Sequence, residues 1–137
     1  MERTLVIIKP DAVKNRHIGE IISRLEKKGF TIIGIKMTRL AKDEAENFYY
    51  VHRGKEFFNA LIEFMMSDKC VPMVLEGDNV IKEIRNFIGA TDPKKAEKGT
   101  IRADFGTEVT SNAIHASDSI ESARFEVNFF FPEFADF

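Results

Sequence analysis

Three short apolar runs alternate with stretches whose apolar residues recur at helical spacing, and this alternation limits the fold more than any other feature of the chain. Leu5 to Ile8 is rich in β-branched residues and stops at Lys9-Pro10-Asp11, where a proline with no N–H to donate ends a central strand. Phe30 to Leu40 is a second strand-like stretch, with Ile33, Ile35 and Met37 alternating onto one face. Cys70 to Leu75 is a third, interrupted by Pro72. Between them, Ile18, Ile21, Ile22 and Leu25 share one helical face, and Gly29 follows where a glycine closes a helix. Asp43 is placed to cap a short helix through Tyr50. Phe57, Phe58, Leu61, Ile62 and Met65 mark another helix, and Asp78 opens one with Ile81, Ile84, Phe87 and Ile88 inward. Asp118 and Glu121 stand at capping-box spacing before a helix toward Val127, and Phe129 to Phe131 reads as a last short strand. The order β-α-β-α-α-β-α-loop-α-β implies an α+β sandwich within the broad α/β class. It is the ferredoxin-like βαββαβ arrangement, a four-stranded antiparallel sheet covered by helices.

The 137 residues have the length of one ordinary domain, so residues 1–137 read as a single unit. Hydrophobic residues at 44% are enough for one core and exclude a disordered chain. A net charge of -2 argues against bulk nucleic-acid binding, which is not expected here. The lone Cys70 has no disulfide partner within the chain. No apolar run approaches the roughly 20 residues of a membrane span. The N-terminus passes from Met1-Glu2-Arg3-Thr4 into the first strand without the features of a signal peptide. A cytoplasmic protein with no membrane partner is the expectation.

Gly89 to Asn112 breaks the periodicity, with Gly, Thr, Asp, Pro and Lys dominating its first half. Long loops in compact domains are often functional. Beyond it lies Asn112-Ala113-Ile114-His115-Ala116-Ser117-Asp118-Ser119, in which small and polar residues lead from a histidine into a helix start. Such a setting favours anions, and a neutral imidazole is a competent nucleophile because its ordinary pKa is about 6.5. Glu126, one to two turns into the following helix, either turns back to fix the tautomer of His115 or lies on a solvated face. Lys9, Arg85 and Arg102, with the hydroxyl of Thr91, would grip a polyphosphate if the fold gathers them; singly each reads as a surface residue. Phe57 either packs in the core or stacks on a base. The glycine-rich phosphate cradles and the protein-kinase motifs are absent, and no cluster of His and Cys suggests a protein-held metal.

Taken in order, several segments resemble the nucleoside diphosphate kinase family from the first strand to the last few residues. They include Leu5-Val6-Ile7-Ile8-Lys9-Pro10-Asp11, Gly19-Glu20-Ile21-Ile22, Phe48-Tyr49, Phe57-Phe58 and Val74-Leu75-Glu76-Gly77. They continue through Gly89-Ala90-Thr91-Asp92-Pro93, Gly99-Thr100-Ile101-Arg102-Ala103-Asp104-Phe105 and the octapeptide around His115. The resemblance implies ping-pong transfer of the γ-phosphate of a nucleoside triphosphate, mainly ATP, to a nucleoside diphosphate, with broad base and sugar tolerance. It makes His115 the nucleophile and Glu126 the residue that orients its ring. Lys9 matches the lysine near the transferred phosphoryl group, Asn112 the contact to the sugar, and Tyr49 and Ser117 the neighbours of the histidine. Arg85, Thr91 and Arg102 match the phosphate clamp, and Phe57 and Val109 the two sides of the base site. Mg²⁺ is the implied cofactor, carried on the phosphates, with Asp118 reaching it through water. The implied assembly is a homo-oligomer built from dimers, with a hexamer favoured over a tetramer. A catalytically silent or nucleic-acid-binding homologue on the same fold is the alternative. Three departures stand out: Ala116 replaces a glycine after the histidine, Lys55 stands where an arginine is common, and Asp68-Lys69-Cys70-Val71-Pro72 departs from the usual approach to the third strand.

Overall fold

Four strands form one antiparallel sheet in the computed structural model, which describes residues 1–137. They are β1 (Glu2–Ile8), β2 (Thr31–Ile35), β3 (Val71–Gly77) and β4 (Ile114–Ala116), in the spatial order β2-β3-β1-β4. The interior strands β1 and β3 pair over their full length, from Glu2 opposite Gly77 to Ile8 opposite Val71. Successive side chains of a strand point to opposite faces. Val6 and Ile8 therefore enter one core, and Leu5 and Ile7 the other. Helices α1 (Pro10–Lys14), α2 (Ile18–Lys28), α5 (Val80–Ile88) and α6 (Ile101–Phe105) supply Ala12, Leu25, Ile84 and Ile101 to the first core. Helices α3 (Lys42–Phe48), α4 (Phe58–Met66) and α7 (Ile120–Phe130) supply Phe48, Met65 and Phe130 to the second. The sheet is thus covered on both faces. No helix is long and apolar enough to cross a membrane.

Several elements differ from the sequence expectation, each for a local reason. Phe129 to Phe131 is not a strand: Phe129 and Phe130 complete α7, and Phe130 and Phe131 are buried. The fourth strand is Ile114–Ala116, which pairs with the C-terminal end of β1, Val6 to Ile8, and carries His115. Helix α7 is capped by Ser119 rather than Asp118. The Ser119 hydroxyl accepts from the Ser122 N–H, and the Ser122 hydroxyl accepts from the Ser119 N–H. Asp43 lies inside the first turn of α3, whose entry is closed by Glu44 accepting from the Ala41 N–H at 3.0 Å. Helix α5 begins one residue later than Asp78 suggests, after Asn79 in the left-handed conformation.

The second strand is shorter than its pattern. A register shift between Ile32 and Gly34 interrupts its pairing with β3, and Ile35 and Met37 lie half exposed instead of following Ile33 into the core. Pro72 has no N–H to give the ladder, and it lies where the β2 pairing ends, beyond Ile35 opposite Met73; its carbonyl still accepts from the Lys36 N–H. Cys70 is buried beside Thr38, as its apolar surroundings imply. The stretch from Gly89 to Asn112 holds a helical turn at Pro93–Lys95 and helix α6, which a charged, glycine-rich sequence did not announce. Gly89 has φ of 101°, and a Cβ there would lie 2.5 Å from the Thr100 hydroxyl, so both conformation and packing require glycine.

Candidate active site

His115 is the middle residue of β4, opposite Ile7 of β1. Its neighbours Ile114 and Ala116 are packed into the first core, so the alternation of the strand turns the imidazole toward the other face. There, seven residues into α7, Glu126 Oε1 lies 2.7 Å from His115 Nε2. The same oxygen accepts from the Ser117 hydroxyl at 2.8 Å, and Ser117 is anchored in turn against the Leu5 backbone of β1. A carboxylate at Nε2 fixes the proton on that nitrogen and leaves the lone pair of Nδ1 free for chemistry. The rings of Phe48 and Tyr49 meet the imidazole edge-on, with centroids 5.5 Å and 6.1 Å away. Burial and the charge of Glu126 push the Tyr49 phenol above its ordinary range, so it stays protonated.

The two arginines brace the histidine from either side. Arg102 donates through Nε and Nη2 to the carbonyl of Ile114, at 3.3 Å and 2.8 Å, and through Nη1 to Gly89. Arg85 donates through Nη1 to the carbonyl of Ala116 at 2.9 Å. Lys9, at the end of β1, donates to Asn112 Oδ1 at 2.9 Å and to the Thr110 carbonyl at 2.7 Å. Asn112 Nδ2 then donates to the Thr91 carbonyl at 3.0 Å. None of the three cations is paired with a carboxylate. Burial lowers Lys9 to about 8, against the pull of Asp11 and with the push of Arg102. Burial and the neighbouring Arg85 lower Arg102 to about 10. Lys9 and Arg102 are buried and Arg85 is half-buried, none in an ion pair; such cations are costly, and their arrangement around one opening suits a polyanion that arrives from solution.

That opening is a cavity of about 960 Å³, within the range that takes a small-molecule ligand. It brings His115 and Glu126 together with Lys9, Arg85, Arg102, Thr91 and Asn112, although these lie up to 117 positions apart in the chain (126 minus 9). Tyr49, Phe57, Val109 and Asp118 also line it; Ser117 is buried beneath it. Phe57 is 48% exposed and Val109 54%, so Phe57 is not a core residue. Asp118 accepts from the Ser122 hydroxyl at 2.8 Å, and that bond lowers its carboxyl below the ordinary range despite partial burial. The structure adds residues that sequence reasoning left without a role. His52 stands in the wall, its ring 5.2 Å from Phe57, and its Nδ1 lies 3.0 Å from Lys55 Nζ. Tyr50 and Phe125 form an edge-to-face pair at the rim. The Thr110 carbonyl holds Lys9, and a backbone acceptor leaves no trace in residue identity.

No three His, Cys, Asp or Glu side chains converge in a way that could hold a metal ion. Asp118 and Glu121 are the acids of the cavity wall besides Glu126. The Asp118 carboxyl, held below its ordinary range beside a cationic pocket, fits a divalent ion that enters on phosphate oxygens.

A histidine with one nitrogen free, facing unpaired cations and an exposed aromatic on a two-faced αβ sandwich, defines a phosphotransferase. The family model for nucleoside diphosphate kinase matches residues 2–135, and the chain belongs to that family. It is 58% identical over 130 residues to nucleoside diphosphate kinase 1 of Protochlamydia amoebophila, covering 95% of this chain and 92% of the relative. It is 53% identical over 133 residues to the nucleoside diphosphate kinase of Anaeromyxobacter dehalogenans, covering 97% and 90%. The crystal structure of the Aquifex aeolicus nucleoside diphosphate kinase superposes with a TM-score of 0.92 at 50% identity, over 95% of this chain and 94% of that one. The apo enzyme from Encephalitozoon cuniculi gives the same TM-score at 38% identity, over 96% and 89%.

Proposed function

We propose that the chain is a nucleoside diphosphate kinase that works through a phosphohistidine at His115. In the first half-reaction the Nδ1 lone pair attacks the γ-phosphorus of a nucleoside triphosphate, mainly ATP. The N–P bond forms, the bond to the bridging β–γ oxygen breaks, and the diphosphate leaves with that electron pair. In the second, a β-phosphate oxygen of another nucleoside diphosphate attacks the phosphohistidine and the N–P bond breaks. The observation that carries this reading is the 2.7 Å contact between Glu126 and His115 Nε2 at the floor of a cavity holding three unpaired cations.

Phosphoryl transfer asks little covalent chemistry of the protein and much positioning and charge neutralisation. Glu126 and Ser117 hold the ring; Tyr49 packs against it. Lys9 and Asn112 act at the transferred group and the sugar, and Arg85, Thr91 and Arg102 at the phosphates. Phe57 and Val109 hold the base by its faces, which predicts little discrimination among bases. Mg²⁺ would neutralise phosphate charge when bound, with Asp118 holding it through water. A homo-oligomer built from dimers, hexamer before tetramer, belongs to the same reading. The free outer edge of β2 and the half-exposed Ile35 and Met37 support an assembly contact. The loop around Lys94 to Gly99, similar to the one near the threefold axis of hexamers, favours the hexamer. A cytoplasmic setting suits a reaction on nucleotide pools. A silent or nucleic-acid-binding homologue is not favoured, because the nucleophile and its cations are all present.

The test is a single turnover with γ-labelled ATP and Mg²⁺, without acceptor, on the wild type and His115→Ala. The expected result is acid-labile, alkali-stable label on the wild type alone, discharged by GDP or CDP as the matching triphosphate. A folded, nucleotide-binding wild type that stays unlabelled removes the phosphohistidine mechanism.

A further inference from the structure

Ala113, immediately before the histidine strand, has φ of 76°. An L-residue in the left-handed region costs roughly 1–2 kcal/mol and persists only where its surroundings hold it. Here both of its backbone groups are held by the turn that leaves β1. The Ala113 N–H donates to Asp11 Oδ2 at 3.0 Å, and its carbonyl accepts from the Lys9 N–H at 2.9 Å. Ala113 is fully buried. Its neighbours are Asn112, whose side chain takes the Lys9 ammonium, and Ile114, whose carbonyl takes Arg102. A change at Ala113 therefore moves a contact to Lys9, a contact to Arg102 and His115 itself.

Asp11 is also electrically unusual. Its second oxygen, Oδ1, is buried with no hydrogen-bond partner in the protein. Burial pushes its carboxyl above the ordinary range, opposed by Lys9 and by backbone N–H groups. Clamping one amide does not need a charge, since a neutral carboxamide oxygen would accept the same bond. The charge has another use, because it opposes the desolvation of Lys9.

We propose that Asp11 is a positioning residue for phosphoryl transfer, locking Ala113 in the conformation that aims Asn112 and His115, and balancing the charge of Lys9. The role rests on the phosphohistidine reading above. The charged groups acting on Lys9 are Asp11 from α1 and Arg102 from α6, and the ring of Phe64 on α4 lies 5.4 Å from its Nζ. Asp11 is the only one of these with a negative charge, so its loss leaves Lys9 with repulsion alone.

The experiment follows label uptake from γ-labelled ATP and steady-state kinetics across about pH 6.5 to 9 for the wild type, Asp11→Asn, Asp11→Ala and Asp11→Ala with Ala113→Gly. Asp11→Asn keeps an acceptor for the Ala113 amide. Its basic limb of kcat/KM is expected to move down by about 0.5–1 pH unit, with kcat near pH 7 within about threefold of wild type. Asp11→Ala removes the clamp as well and is expected to lose about tenfold or more in kcat. Ala113→Gly, which takes a positive φ without strain, is expected to recover several-fold of that loss. A labelled wild type with variants that melt earlier but keep its kcat and basic limb overturns the role of Asp11 alone. An unlabelled wild type overturns the transfer reaction and the role of Asp11 with it.

Discussion

Glu126 Oε1 lies 2.7 Å from His115 Nε2 and takes a second hydrogen bond from Ser117, so the orientation of the imidazole is set by a carboxylate that is itself held in place. Replacing Glu126 by Gln keeps an oxygen acceptor but removes the charge that, in the proposed transfer, would stabilise the ring as its other nitrogen took up phosphate. The expected effect is a loss of about 100-fold in kcat with the KM for nucleotides within about twofold. Stopped-flow rates of His115 phosphorylation read it directly. A variant that instead raised KM and left kcat intact would put Glu126 in substrate binding rather than ring orientation.

Ala116, in the place where a glycine is common in the family, does not crowd the histidine. Ala116 lines the cavity with its carbonyl bound by Arg85, while the residue itself is buried in the core on the opposite face of β4 from His115. Ala116→Gly is therefore expected to change kcat/KM by no more than about threefold. It gives up a buried methyl and adds chain entropy to the unfolded state, and is expected to lose about 1–2 kcal/mol of stability. Urea unfolding and steady-state kinetics on the same preparation separate the two effects. A large gain in kcat on removing the methyl would show that it does crowd the site.

The contrast between β4 and the rest of the sheet shows where sequence legibility ends. The runs at Leu5–Ile8 and Cys70–Leu75 are long enough to carry a strand signature, and both are strands. Ile114–Ala116 is too short for period-two alternation to register, whereas Phe129-Phe130-Phe131 has strand propensity that the helix before it and the packing around it override. His115 stands out from its small and polar neighbours, whereas helix spacing left Glu126 open between turning back to the ring and a solvated face. The meeting of Lys9, Arg85 and Arg102 was legible only through family resemblance, because strand order, not local pattern, brings them together. Asp11 left no trace, since its partner is the amide of a residue whose positive φ no composition announces.

Phe57 offers a nearly half-exposed ring at the cavity wall, with His52 edge-on behind it. Stacking on a base is sequence-tolerant because every base has a π-face, and its loss costs about 1–3 kcal/mol by alanine substitution. Phe57→Ala is expected to raise KM for ADP, GDP, CDP and UDP alike by about 5- to 100-fold, with kcat within about threefold. Measuring all four acceptors is the check. An increase confined to one base would mean that the ring takes part in base selection.

Lys9 links activity to instability. The residue is 6% exposed and its pKa is lowered from 10.5 to about 8, chiefly by burial. The unfolded chain therefore binds the proton more tightly than the native one, and stability rises as pH climbs through the window from about 8 to 10.5. Below that window the buried charge costs the fold about 3 kcal/mol, partly offset by the bonds to Thr110 and Asn112. Lys9→Met removes the charge but keeps the length and apolar body of the chain. Near neutral pH it is expected to melt a few degrees higher than the wild type while losing about 100-fold or more of kcat/KM. The stability difference is expected to shrink as pH rises from about 8 to 10.5 and to level off above that, where the wild-type lysine is neutral in both states. Activity of the wild type is expected to fall along a one-proton basic limb near pH 8 as the ammonium is lost from the free enzyme. Thermal melts of both proteins at several pH values, with kcat/KM profiles of the wild type, test the two halves together. A Lys9→Met variant that melts lower at neutral pH would mean that its two hydrogen bonds outweigh the cost of burying the charge.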